Sequence, residues 1–117
     1  MTPPKIDKYD FGKIFVDGVL YESDIVITPE GVFPNWWRIE GHKLHFEDIR
    51  EYLSKTVVDM VVVGTGANGL MKVTEEVLKE LKARGIEIVV LPSHKACEVY
   101  NKLKDEKRVM GVFHLTC

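Results

Sequence analysis

Glutamine is absent from this chain of 117 residues, asparagine occurs only at positions 35, 68 and 101, and cysteine only at 97 and 117. Two cysteines make neither a zinc framework nor a disulfide scaffold, so a reduced, cytosolic chain is the plain expectation. No apolar run approaches the roughly 18 residues needed to cross a bilayer, and the start shows no basic, apolar, small-residue leader. A soluble cytoplasmic protein follows as the expectation. Charge of one sign is lacking too. The 16 basic and 18 acidic residues are well mixed and give a net charge of −2. No positive stripe exists to neutralise a nucleic-acid backbone or an anionic membrane, and neither is an expected partner. Few amides beside 29% charged residues lean towards a heat-adapted source, archaeal or otherwise thermophilic.

The length suits one domain spanning residues 1–117, and is too short for the two βαβαβ halves of a full dinucleotide fold. After a short proline-containing leader, Asp17-Gly18 stands between two β-prone runs, a strong hairpin signal. Asp24 to Thr28 predicts another short strand, and residues 29–42, with two prolines and two glycines, an ordered loop or a strand broken by turns. Phe46, Ile49, Tyr52 and Leu53 fall at helical spacing behind an acidic first turn.

From Val57 the pattern becomes strand, helix, strand, helix, strand. The run Val57–Val63 predicts a strand and Thr74–Gly85 a helix with Val77, Leu78 and Leu81 on its apolar face. Residues 86–91 predict a buried strand, and a last helix is expected with Ser93 as N-cap and Ala96, Val99, Tyr100 and Leu103 facing inward. Residues 108–116 close the chain as a strand apolar on both faces, hence central. The class is α/β: three layers, a central mixed sheet of about five strands carrying helices, and an N-terminal β-hairpin.

Gly64, Gly66 and Gly69 have the spacing of a dinucleotide fingerprint directly after a strand. The fingerprint also needs a helix starting within the glycines and an acid ending the next strand. Here the helix is expected only from Thr74, and the next strand ends Leu91-Pro92-Ser93. No Gly-Lys-Ser/Thr follows for a Walker loop. A nucleotide is therefore not expected, and no cofactor is assigned. A small anion in a nest of backbone N–H groups at Gly64, Thr65 and Gly66, with Lys72 and Arg38 supplying charge, stays open.

The blocks "VVGTG…LMKV", "GIEIVVLPSHKAC", "YNKL" and "RVMGVFHLTC", in this order, with "WWRIEGH" more weakly, resemble a family of small Mth-type domains of archaea, bacteria and mitochondria. That family includes the adipogenesis-associated Mth-domain protein and a respiratory complex I assembly factor. The resemblance implies a three-layer fold on a mixed sheet, no settled catalytic activity, and protein partners for the mitochondrial member.

Other residues invite chemistry. His94 and Cys97, three apart at a helix start, could share a face with the thiol activated by the helix terminus; buried packing is the competing reading. His42 and His45 make a pair without a third ligand, so no metal is assigned. His114 and Cys117 fall on opposite faces of a strand and cannot pair. Tyr100 and Asn101 either pack and cap or belong to a site near the glycine loop. Phe33, Trp36 and Trp37 gather aromatic area in a loop, and two adjacent tryptophans cannot both face the core, so one is expected against a partner or groove. Arg38 beside them suits an indole face or a carboxylate. With no complete catalytic constellation, the leading expectation is a non-enzymatic protein-binding or assembly domain with Trp36, Trp37 and Arg38 as its interface; the alternative is an enzyme or binding protein for a small anion at residues 64–72, with His42 or His94 as acid or base.

Overall fold

In a computed structural model that describes residues 2–117, five strands form the central sheet in the order β5 (Gly31–Phe33), β4 (Ile25–Thr28), β10 (Val109–His114), β7 (Met60–Thr65), β9 (Glu87–Leu91). β10 runs parallel to β7 and antiparallel to β4, while β7 and β9 are parallel, so the sheet is mixed. Every residue of β7 and β10 is buried, because both faces of these strands are covered.

One face receives α3 (Ser93–Leu103) and a separate antiparallel sheet of β1 (Ile6–Asp10), β2 (Lys13–Val16) and β3 (Val19–Tyr21); its core joins Ile14, Ile25, Val62, Tyr100 and Phe113. The other face receives α1 (Glu47–Lys55) and α2 (Glu75–Ala83), with Val26, Trp36, Ile49, Val63, Leu81 and Val112 between them. A two-residue parallel pair, β6 (Lys43–Leu44) with β8 (Lys72–Val73), lies beside α1 and α2 in sequence and ties the two crossings together. These are the expected three layers.

The Asp17-Gly18 turn is as expected, with both residues at positive φ (48° and 79°), the geometry that matches the twist of a two-residue hairpin. The hairpin belongs to its own small sheet, and the antiparallel part of the central sheet comes from β4 and β5. Three boundaries differ from the sequence pattern. The leader contains β1, recognisable only by Ile6 and Tyr9 among charged residues because the rest of the strand faces solvent. Val57 is exposed, and β7 begins at Met60 and continues through Gly64 and Thr65. Finally, β9 is an edge strand with Val90 exposed: an apolar run reads alike whether a neighbour covers it or not.

Among the described residues, no helix is long and apolar enough to cross a membrane.

Candidate functional site

The parallel strands β7, β9 and β10 end together at Thr65, Leu91 and His114. From β7 the chain passes to β9 on one side, then returns by α3 to β10 on the other. The edge between β7 and β10 is thus a switch point, the place where open α/β sheets gather functional groups.

The glycine segment fills part of this edge and is occupied by the chain itself. The Gly66 N–H donates to Ser93 Oγ at 2.9 Å, Ala67 N–H to the Thr116 carbonyl at 2.7 Å, Gly69 N–H to Gly66, Leu70 N–H to the Cys117 carbonyl and Met71 N–H to Thr65. A Cβ on Gly66, whose φ is +104°, would lie 2.6 Å from the carbonyl oxygens of Thr116 and Cys117; one on Gly64 would lie 2.8 Å from Ser93 Oγ. Glycine is required here by close approach of the chain's last residues, a sufficient reason for the fingerprint spacing. α2 starts at Glu75 behind Thr74, as expected, so no helix N-terminus opens within the glycines.

The proposed anion-binding residues separate. Thr65 is buried and donates to the Leu91 carbonyl, Lys72 is exposed on β8, and Arg38 has other partners. Ser93 is not the expected cap. Pro92 occupies the N-cap position, and the Ser93 hydroxyl instead donates to the His114 carbonyl at 2.5 Å while accepting from Gly66, stitching α3 to the ends of β7 and β10.

Beside this edge stands a polar cluster. Asp24, just before β4, lies next to the carboxyl end of β10. Its Oδ2 accepts from Arg38 Nη1 and His114 Nδ1, both at 2.8 Å, and its Oδ1 accepts from the Leu115 N–H at 2.8 Å. Burial pushes the Asp24 carboxyl up, but the hydrogen bonds from His114, the Leu115 N–H and Arg38 outweigh it and hold the group below the ordinary carboxylate value. Arg38 also donates to the Gly41 carbonyl from Nε and Nη2, and its guanidinium lies 4.9 Å from the Trp36 ring centre. The indole and the carboxylate anticipated for Arg38 are both present.

His114 Nδ1 stands between the Asp24 carboxylate at 2.8 Å and Arg38 Nη2 at 3.1 Å; a proton on Nδ1 serves the carboxylate, the nearer of the two, and leaves Nε2 its lone pair. His114 is 6% exposed, and Nε2 is the one buried side-chain nitrogen or oxygen without a hydrogen-bond partner among the described residues. The His42 ring stands edge-on to it, centres 6.0 Å apart. His45 turns away to Glu40 at 2.6 Å, and that hydrogen bond holds the Glu40 carboxyl low.

The tryptophans divide, one inward and one outward, and Trp36 and Arg38 are thereby removed from the expected interface because both side chains are buried. Trp36 is 4% exposed and donates from Nε1 to the Asp48 carbonyl at 2.9 Å; Trp37 is 86% exposed. Asp48 orders the same loop with its carboxylate, accepting from the Ile39 and His45 N–H groups. Backbone bonds from Trp36 to Asp24 and from Asn35 to Ser23 Oγ complete the anchorage. Two recesses open against Trp37: one of about 220 Å³ floored by Asp24, Arg38 and Gly41, and one of about 560 Å³ running to Glu47, Glu51 and Tyr52 on α1. Phe33 is half-buried and tilts against Tyr52, ring centres 5.4 Å apart.

On the far side, His94 is exposed and Cys97 buried, and both line a recess of about 290 Å³ with Tyr9 and Asn101. Burial, reinforced by Glu98, pushes the Cys97 thiol up to about 12, opposite to the activation a helix terminus would give. Tyr100 and Asn101 serve the packing alternative: Tyr100 donates to the Pro4 carbonyl, and the Asn101 amide brackets Ile6 through both its N–H and its carbonyl.

Asp24 and Asp48 carry no site signal in the sequence, and His114 enters it only as a rejected partner for Cys117. The usable signal was position: a histidine ending a wholly apolar central strand, and an aspartate opening the strand beside it.

The comparisons with known proteins agree with this architecture. An NADH dehydrogenase [ubiquinone] 1 alpha subcomplex assembly factor 3 from Danio rerio is 41% identical over 97 residues, 79% of this chain and 55% of that protein. The chain spans little more than half the length of the curated relatives it matches. A conserved hypothetical protein from Pyrococcus horikoshii superposes with a TM-score of 0.87 at 30% identity, covering 97% of this chain and 99% of the other. A Mth938-like domain from Bordetella pertussis shares the fold, with a TM-score of 0.69 at 18% identity over 96% of this chain and 85% of its own. A family model described as protein of unknown function, DUF498/DUF598, matches residues 6–114, and the chain belongs to that family.

Proposed function

We propose that this chain is a non-enzymatic protein-binding domain of the assembly-factor kind, and that Trp37 and Ile39 anchor its partner. One observation carries the reading: Trp37 is 86% and Ile39 68% exposed, on a segment whose neighbours Trp36 and Arg38 are tied into the core. A large aromatic held in water on a rigid base loses little conformational freedom on docking, which is the character of an interface hot spot. The naming of the zebrafish relative as an assembly factor supports a protein partner. The wider recess adds the Tyr52 ring beside Trp37, so the partner segment brings an apolar side chain for the indole.

The test is site-specific photo-crosslinking in the native cell, with the photoreactive residue at position 37 and, as control, at Lys79 on the exposed face of α2. The expected result is one adduct of defined mass from position 37 only, abolished by Ile39→Asp. Equal labelling from both positions, or none from 37, overturns the proposal.

A further inference from the structure

We infer that His114 and His42 form a binding site for a borderline divalent cation of the zinc type, outside the surface assigned above to a partner. Three observations meet there. The buried Nε2 of His114 has no partner among the described residues, although a buried polar atom is ordinarily satisfied. On the other side of the same ring, Nδ1 is held by Asp24 at 2.8 Å, and Asp24 is held in turn by Arg38 and the Leu115 N–H. This is the carboxylate–imidazole relay that orients a histidine ligand and raises its basicity. The third is the His42 imidazole, 6.0 Å away between ring centres, on an exposed side chain.

The spacing suits one ion. With zinc–nitrogen bonds of about 2.0–2.1 Å and ring centres about 1.2 Å beyond the nitrogens, two imidazoles sharing an ion have centres about 5–6 Å apart. The His42 backbone is fixed by the Lys72 N–H, which donates to its carbonyl at 2.8 Å. Arg38 Nη2 lies 3.1 Å from Nδ1 of the His114 ring, and the Asp24 carboxylate, 2.8 Å from Arg38 Nη1, balances its charge. Among the described residues, no third histidine, cysteine or carboxylate joins this pair. The site is therefore open, completed by water or a bound group. Imidazole donors favour zinc, nickel or copper over magnesium or calcium.

Imidazole nitrogen NMR on the full chain, titrated with zinc chloride, tests the assignment. The Nε2 resonance of His114 and one ring nitrogen of His42 should shift together and saturate at one ion per chain. His42→Ala should weaken binding at least tenfold, with the fold unchanged because the side chain is exposed, and His94→Ala should leave it unaltered. A His114 Nε2 resonance that zinc does not move, zinc confined to His45 or His94, or wild-type affinity in His42→Ala would each overturn the inference. None of these readouts depends on the protein partner.

Discussion

Arg38 and His114, 76 positions apart in the chain, meet on a single carboxylate oxygen, Oδ2 of Asp24, each at 2.8 Å. The Arg38 side chain is 5% exposed and that of Asp24 15%, so removing the carboxylate charge strands a buried guanidinium. Asp24→Asn should cost about 3 kcal/mol, the low end for breaking a buried pair because Asp24 keeps some contact with water. Urea denaturation reads this as a lower midpoint at unchanged slope.

The same carboxyl sets an acid limit. Asp24 titrates below its ordinary value of 3.8 when folded, so between the two values the unfolded chain binds the extra proton. Its contribution is whole above about pH 5 and drains away as pH falls through the lowered folded value. Stability of the native chain minus that of Asp24→Asn, measured by urea midpoints from pH 6 to pH 2, should shrink with acid; a constant difference would deny Asp24 this role.

The layers were legible because they are written in local chemistry. Asp17-Gly18 states its turn, and the apolar spacing of Phe46, Ile49 and Leu53 states its helix. The polar cluster was not legible because Asp24, Arg38 and His114 are joined only by sheet order, with Asp24 beside β10 through an antiparallel pairing no local pattern encodes. Edge and centre were hard to separate for a related reason: β9 and β7 are both β-branched runs, and only the return crossing to β10 leaves β9 outside. Ser93 carried a true signal for a helix start and a misleading one for its role, since its hydroxyl serves Gly66 and His114.

The adjacent tryptophans should behave oppositely. Trp36→Ala removes a buried indole and its bond to the Asp48 carbonyl, and should cost about 3–5 kcal/mol. Trp37→Ala removes an exposed one and should stay within about 0.5 kcal/mol. Denaturation midpoints separate the two, and a large loss in Trp37→Ala would make that residue structural.

The glycines should rank by what a methyl group meets. Gly66→Ala drives a Cβ to 2.6 Å from two backbone oxygens, so overpacking of about 1–3 kcal/mol adds to the strain of positive φ. Gly69→Ala, at φ +68° with its nearest neighbour at 3.5 Å, pays only the left-handed conformation, about 1–2 kcal/mol. Thermal melts should follow that order. Phosphate and NAD at millimolar concentration should leave the native melting temperature unmoved, because the loop N–H groups already have acceptors in the chain.

Cys97 gives the last test, of a thiol at a helix start that is not activated. The first turn of α3 offers partial positive charge, which favours thiolate, whereas the low-dielectric packing around Ala96, Tyr100 and Leu115 opposes it. Burial is the larger effect and holds the thiol up at about 12, so at pH 8 well under one molecule in a thousand carries the nucleophilic form. Iodoacetamide at that pH should leave Cys97 unmodified in the native chain and label it promptly in urea, as read by peptide mass spectrometry. Leu103→Ala, which loosens the cluster that Cys97 belongs to, should speed native labelling by local opening without changing that order. Rapid labelling of the native thiol would instead mean that the helix terminus prevails over burial, and would return His94 and Cys97 to the set of reactive candidates.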